Sequence, residues 1–174
     1  MPGGSFFFTV VTERRAAILG NDLARDWLRA AFRDGRQRWP FRVDALVMLP
    51  DHLHAIWTLP LDDADYSKRW GAIKKHFTQS WLAAGGNEQL LSDSRHRYRR
   101  RGVWQRRFWE HAIRDQRDFN IHCDYIHYNP VKHGYVARVA DWPHSSFHRF
   151  VENGVYLSDW TGHPDLIDTV GFGE

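Results

Sequence analysis

The sequence predicts an α+β fold, a ferredoxin-like antiparallel sheet with helices packed on it. Three observations lead there. The elements read in the order strand, helix, strand, strand, helix, strand, helix. The second and third strands are separated by Pro50-Asp51, a hairpin turn, which makes them antiparallel. The chain has 174 residues, of which 43% are hydrophobic and 15% aromatic, enough for one domain with its own core and too apolar for a disordered chain.

Each element has a local reason. Residues 6–12 are aromatic and β-branched, as a strand requires. Asn21 or Asp22 can cap a helix running to about residue 33, with Leu23, Trp27, Leu28, Ala31 and Phe32 on one face. Residues 41–49 and 52–59 are the apolar runs on either side of the turn. A second helix, 65–84, has Trp70, Ile73, Phe77 and Trp81 as its inner stripe and stops at Gly85-Gly86. A basic loop follows, and residues 103–113 contain a fourth strand. Asp115 starts a third helix whose core face is Phe119, Cys123 and Ile126. Asn129 precedes Pro130, and a residue before proline resists helical backbone, so that helix is expected to end there. Residues 144–151 form a short last helix. The domain is expected to span residues 5–152, with 153–174 a C-terminal tail that follows no strong pattern.

Composition narrows the setting. No apolar run approaches the roughly 18 residues of a membrane span. The first residues lack the basic region of a secretory signal. The single cysteine, Cys123, builds neither an internal disulfide nor a cysteine zinc cage. A soluble, cytoplasmic protein with no membrane partner is expected. The net charge is +3, but it is unevenly spread. Arg95, Arg97, Arg99, Arg100, Arg101, Arg106 and Arg107 crowd one stretch, interleaved with His96, Tyr98 and Trp104. Such a stretch suits phosphates and stacked bases; it also suits a solvated loop, and both readings stand. Trp104 likewise reads as a base-stacking platform or as core. Lys74 and Lys75 offer a second basic path.

Two motifs make chemical sense together. His52 and His54 lie two apart on a strand, so their side chains share a face and can hold one divalent cation. Tyr125 and Asn129 lie four apart on a helix and share a face there. A cation and a tyrosine are the parts needed for nucleophilic attack on a phosphodiester. The histidine pair is weak by itself: with eleven histidines in the chain, chance supplies roughly 0.7 such pairs. His111, His122, His127 and His133 are also ligand candidates by spacing.

Several stretches in order are more specific. Phe6-Phe7-Phe8-Thr9-Val10-Val11-Thr12, Leu49-Pro50-Asp51-His52-Leu53-His54, Trp104-Gln105-Arg106-Arg107-Phe108-Trp109-Glu110-His111, Tyr125-Ile126-His127-Tyr128-Asn129-Pro130-Val131-Lys132-His133-Gly134 and Asp141-Trp142-Pro143-His144-Ser145-Ser146 together resemble the single-tyrosine transposases of the His-hydrophobe-His endonuclease superfamily, and more narrowly the REP-associated tyrosine transposases. The resemblance implies His52, His54 and Asn129 as ligands of Mg²⁺ or Mn²⁺, with Mn²⁺ better suited to imidazole, and Tyr125 as nucleophile. It implies single-stranded DNA beside a short hairpin as substrate, a 5′-phosphotyrosine intermediate with a free 3′-hydroxyl, and strand rejoining without ATP. No Walker-type loop occurs, in keeping with that. The narrower family suggests a monomer; the superfamily includes dimers that exchange helices.

Rival readings have distinct signatures. A catalytically inactive protein that binds DNA hairpins would show no metal-dependent nicking. A hydrolase of small phosphate compounds would form no covalent DNA adduct. Nothing in the sequence favours a protein-interaction role.

Overall fold

The computed structural model describes residues 3–91 and 101–162. In chain order they form β1 (Ser5–Val11), α1 (Asp22–Arg38), β2 (Arg42–Met48), β3 (His52–Thr58), α2 (Tyr66–Ala83), β4 (Trp109–Ala112), α3 (Gln116–Lys132) and α4 (Phe147–Glu152). The sheet runs β2-β3-β1-β4 with every pair antiparallel, so the chain is the expected ferredoxin-like α+β sandwich.

Strand alternation divides the side chains between two faces. Phe6, Phe8 and Val10 of β1 and Leu53, Ala55 and Trp57 of β3 pack against Leu28, Phe32, Trp70, Ile73 and Phe77 of α1 and α2. Phe7 and Ile56 point the other way and pack with Ala45 and Val47 of β2 against Cys123, Tyr125 and Ile126 of α3. The three main helices are capped by Asn21, Asp65 and Asp115, each accepting a backbone N–H of the first turn.

The structure departs from the sequence reading at the helix ends. α1 continues to Arg38 because Gly35 lets it approach α2; a Cβ there would stand 3.1 Å from Ile73 Cγ1. Within α1, Leu28, Ala31 and Phe32 are buried as expected and Trp27 packs against them, but Leu23 is 60% exposed and Ala24 fills the first turn of the inner face. α3 does not end at Asn129. It runs through Pro130 to Lys132, and Gly134, at φ 71°, closes it with its N–H on the Val131 carbonyl at 2.9 Å. Proline this close to the end forfeits few helical bonds, and Ile126, Asn129 and Pro130 are all buried by the extra turn.

Two further segments frame the site. Residues 103–105 extend the sheet alongside the end of β1, with Glu13 N–H on the Val103 carbonyl at 2.9 Å and Gln105 N–H on the Val11 carbonyl at 3.0 Å. Residues 144–146 cover the β2 edge, where Met48 N–H donates to the His144 carbonyl at 2.9 Å and Ser146 N–H to the Leu46 carbonyl at 2.8 Å. Past Asn153, Tyr156 donates to Asp124 Oδ1 of α3 at 2.6 Å and stacks on Trp160 with ring centroids 4.5 Å apart. Among the described residues no helix is long and apolar enough to cross a membrane.

Candidate active site

β3 begins directly after the Pro50-Asp51 turn, so His52 and His54 stand at the start of a strand on the α3 face. α3 lies across that face with Tyr125 and Asn129 one turn apart. All four side chains are buried, from 0 to 1% exposed. The His52 and His54 rings are 4.9 Å apart, and the Tyr125 ring stands 5.1 Å from His54, each pair nearly perpendicular. The structure thus brings together the two histidines, the tyrosine and the asparagine that the sequence singled out. His133, one turn past Asn129, sits with its ring 5.3 Å from that of His52.

Neighbours orient both histidines. His52 Nδ1 lies 2.6 Å from Asp51 Oδ1, and His54 Nδ1 lies 2.9 Å from Thr9 Oγ1. With Nδ1 held in this way, Nε2 is the nitrogen each ring would turn to a cation. Burial works against the Asp51 carboxylate, but hydrogen bonds and positive charge from His52 and Arg15 outweigh it and hold its pKa at about 2. Arg15 Nη1 donates to Asp51 Oδ2 at 3.0 Å. Once deprotonated, as metal binding requires, the two imidazoles and an amide oxygen form a neutral donor set that suits Mn²⁺ or Mg²⁺ and leaves most of the ion's charge unneutralised. The Lys132 ammonium donates to Tyr125 Oη at 3.3 Å and lies 4.9 Å from the ring centre, beside the oxygen that must carry negative charge when it attacks.

The remaining candidate histidines lie elsewhere. His111 of β4 and His122 of α3 stack 4.7 Å apart and share Asp118, at 2.8 and 3.1 Å. Burial opposes ionisation of Asp118, yet His111, the Arg114 N–H and His122 together lower its pKa to about 2. The three groups offer ligand atoms within 4.8 Å of one another, a second place compatible with a metal. His127 is bonded to Ser146 Oγ at 2.8 Å and to Tyr156 Oη at 3.3 Å, and burial pushes its pKa down to about 3.

The basic stretch divides. Arg95, Arg97, Arg99 and Arg100 lie outside the described residues. Arg101 forms a two-point pair with Glu88, at 2.9 and 2.7 Å, an acid thirteen positions away that a local reading of charge does not reach. Trp104 is 8% exposed and meets Phe77 edge-on at 5.1 Å, so it is packed in the core. Lys74 donates to the Gln105 carbonyl at 3.0 Å, and burial lowers its pKa to about 8. Lys74, Lys75, Arg101, Trp104 and Arg106 all line a cleft of about 680 Å³. Arg106 and Arg107 are exposed.

Sequence reasoning missed Thr9, Asp51, Arg14, Arg15, Lys132 and Asp118, though His111 and His122 stood among its ligand candidates. Asp51 has a signal, since it directly precedes the first histidine. The others act through contacts made across the sheet or along a helix. Arg14 and Arg15 are both left-handed, at φ 53° and 51°, a backbone that costs roughly 1–3 kcal/mol per residue without glycine.

A buried tyrosine set beside paired strand histidines on a ferredoxin-like sheet defines a His-hydrophobe-His type of site. No protein-family model matches the chain. Individual relatives do. A REP-associated tyrosine transposase of Escherichia coli K12 is 45% identical over 95% of this chain and 88% of its own length. A Haemophilus influenzae protein, provisionally given the same name, is 44% identical over 94% of this chain and 91% of its own. A solved REP-associated tyrosine transposase bound to a REP hairpin superposes with a TM-score of 0.80 at 42% identity, over 100% of this chain and 93% of that one. The chain belongs to the REP-associated tyrosine transposases.

Proposed function

We propose that the protein cleaves and rejoins single-stranded DNA at REP-like hairpins, with Tyr125 as nucleophile and His52, His54 and Asn129 holding Mg²⁺ or Mn²⁺. The observation that carries this reading is the meeting of β3 and α3: His52 to His54 at 4.9 Å and His54 to Tyr125 at 5.1 Å between rings. The solved relative bound to a REP hairpin supports the choice of substrate. Residues 5–152 are the catalytic unit, residues 153–174 an appendage to it, and the monomer is the working form. The basic residues Lys74, Lys75, Arg95, Arg97, Arg99, Arg100, Arg101, Arg106 and Arg107 contribute to the DNA surface, and Trp104, packed in the core, backs its α2 cleft.

When bound, the cation supplies positive charge to a non-bridging phosphate oxygen. The chain's residues do the rest. Asp51 and Thr9 hold the two imidazoles by Nδ1, which makes Nε2 the nitrogen each would offer to the cation. The Tyr125 phenol loses its proton to solvent, with the Lys132 ammonium beside the resulting charge. Its oxygen attacks phosphorus, a Tyr–O–P bond forms and the P–O3′ bond breaks. The 3′-oxygen takes up a proton and leaves as a hydroxyl. Attack of a 3′-hydroxyl on the phosphotyrosine reverses these steps and conserves the bond energy.

The test is incubation with 3′-end-labelled hairpin DNA and Mn²⁺, followed by a denaturing gel. A labelled band shifted by the mass of the protein is expected, absent with EDTA. DNA binding without any such band would support the inactive hairpin-binding alternative instead.

A further inference from the structure

A second cleft opens at the end of β1 nearest His52. It has a volume of about 460 Å³ and is lined by Glu13, Arg14, Gln105, Arg106 and Arg107. Its walls come from two segments joined by backbone: residues 11–13 and 103–105 are paired through the Glu13–Val103 and Gln105–Val11 hydrogen bonds. The cleft shares Gln105 and Arg106 with the 680 Å³ cleft on α2, so the two adjoin at those residues. Val11 lies opposite His52 in the β1–β3 register and Thr12 N–H donates to the Asp51 carbonyl at 2.9 Å, so the turn that carries Arg14 leaves β1 at the strand end where His52 lies.

The charges in the cleft are uncommitted to acids. Among the described residues no carboxylate pairs with Arg14, Arg106 or Arg107. Glu13 is buried in the wall, so three guanidinium groups face one acid there. The backbone is also special. Arg14 and Arg15 are consecutive left-handed residues in a single turn, Glu13–Arg15. That turn sends its two arginines to different tasks. Arg15 braces Asp51, which holds His52, while Arg14 lines the cleft. Strain of this sort persists where surrounding structure enforces it, and here it joins a cationic cleft to the ligand support.

We propose that Arg14, Arg106 and Arg107 form a subsite for the phosphodiester backbone of the single strand next to the bond that is cut. Guanidinium groups suit this ligand because their planar forks match phosphate oxygens. The subsite rests on the DNA-cleaving function proposed above and adds to it a place where the strand is gripped. The Glu13–Arg15 turn ties that grip to the position of His52.

The experiment measures binding rather than cleavage, in a Tyr125→Phe background with EDTA. The probe is a hairpin DNA with single-stranded extensions, titrated across salt concentrations. The test variant is Arg14→Gly with Arg106→Gln and Arg107→Gln; glycine relieves the left-handed backbone, and a thermal melt checks folding. The salt slope is expected to fall by about 0.7 for each lost single-strand contact, and by about 2 if all three touch phosphate. Arg15→Gln removes one charge from the same turn without entering the cleft, and its slope is expected to stay at the parent value. Neutral methylphosphonates placed singly along the extensions should weaken the parent at one or two linkages and leave the triple variant unaffected there. A folded triple variant with the parent slope would overturn the subsite, as would an Arg15→Gln slope lowered by about 0.7. A covalent adduct in the Tyr125 protein alongside an unaltered slope would remove the subsite alone. A lost slope with no adduct would keep the subsite and remove the cleavage.

Discussion

The two faces of one sheet are built from the same strands and differ in nearly everything else. On the α1 and α2 side, Trp57 stacks on Trp70 at 4.1 Å and meets Phe41 at a tilt at 4.2 Å, and Phe8 meets Trp70 at 5.6 Å. That face is a dense aromatic core. On the α3 side the alternate residues of β1 and β3 are Phe7, Thr9, His52, His54 and Ile56, facing His122, Tyr125 and Asn129. Polar groups there are as deeply buried as the tryptophans opposite. Buried polar groups need partners or a ligand, so this face gives up apolar packing to hold chemistry. The strand period of two makes the division possible, and a slip of one residue in β3 would exchange the faces.

The sharpest way to break the comparison is one substitution on each face. Tyr125→Phe keeps the ring against Phe7 and His54 and removes the hydroxyl. The melting temperature should move little, while the covalent adduct falls by about 10³-fold or more on a denaturing gel. Undiminished adduct would move the nucleophile to another tyrosine. On the other face, Trp57→Ala opens a cavity among Phe8, Phe32, Phe41 and Trp70 and should cost about 3–5 kcal/mol in a denaturant titration. Surviving molecules of that variant should still form adduct. If Trp57→Ala instead removed the adduct from fully folded protein, the two faces would not be separable in this way.

Much of this division was legible beforehand. The period of two placed His52 and His54 together, and the period of 3.6 placed Tyr125 over Asn129. Those are local repeats, and local repeats survive folding. The helix ends were less legible because tertiary contacts decided them. A helix stopping near residue 33 leaves out Gly35, which packs against Ile73, and Pro130 reads as a stop until the burial of its turn is known. The supports of the site were least legible. Thr9 reaches His54 across a strand pair, 45 residues away in sequence, and Glu88 reaches Arg101 across a loop. Nothing in the composition of either stretch announces such pairings.

A smaller effect tests how the α3 face holds its ligands. Asp51→Asn keeps the size of the side chain beside His52 and removes its charge. The imidazole then loses its charged acceptor and Arg15 its partner. Mn²⁺ affinity, measured by calorimetry on the metal-free protein, should fall about 10–100-fold, with a melting temperature close to that of the parent. Unchanged Mn²⁺ affinity would mean that the ion does not depend on His52 as Asp51 orients it.

A final effect, spread over several pH units, separates the faces by pH. Burial above all, with repulsion from Arg149 behind it, pushes His127 from its ordinary value of 6.5 to about 3. Burial lowers His122 as well. A histidine whose folded value is depressed stays neutral in the fold while the unfolded chain takes up a proton. Its contribution is therefore complete above about pH 6.5 and is lost as pH falls from there through about 3. The aromatic side of the sheet has no comparable group among the residues of its core cluster. Stability should fall between those two pH values, with His127 contributing a slope of up to about 1.4 kcal/mol per pH unit. His127→Gln removes the titrating ring from its place between Ser146 and Tyr156, so it should cost stability at pH 7 and flatten the acid limb. Denaturant titrations of both proteins at intervals from pH 7 to pH 4 give the two slopes. Equal slopes would show that the acid sensitivity of the α3 face belongs to other groups.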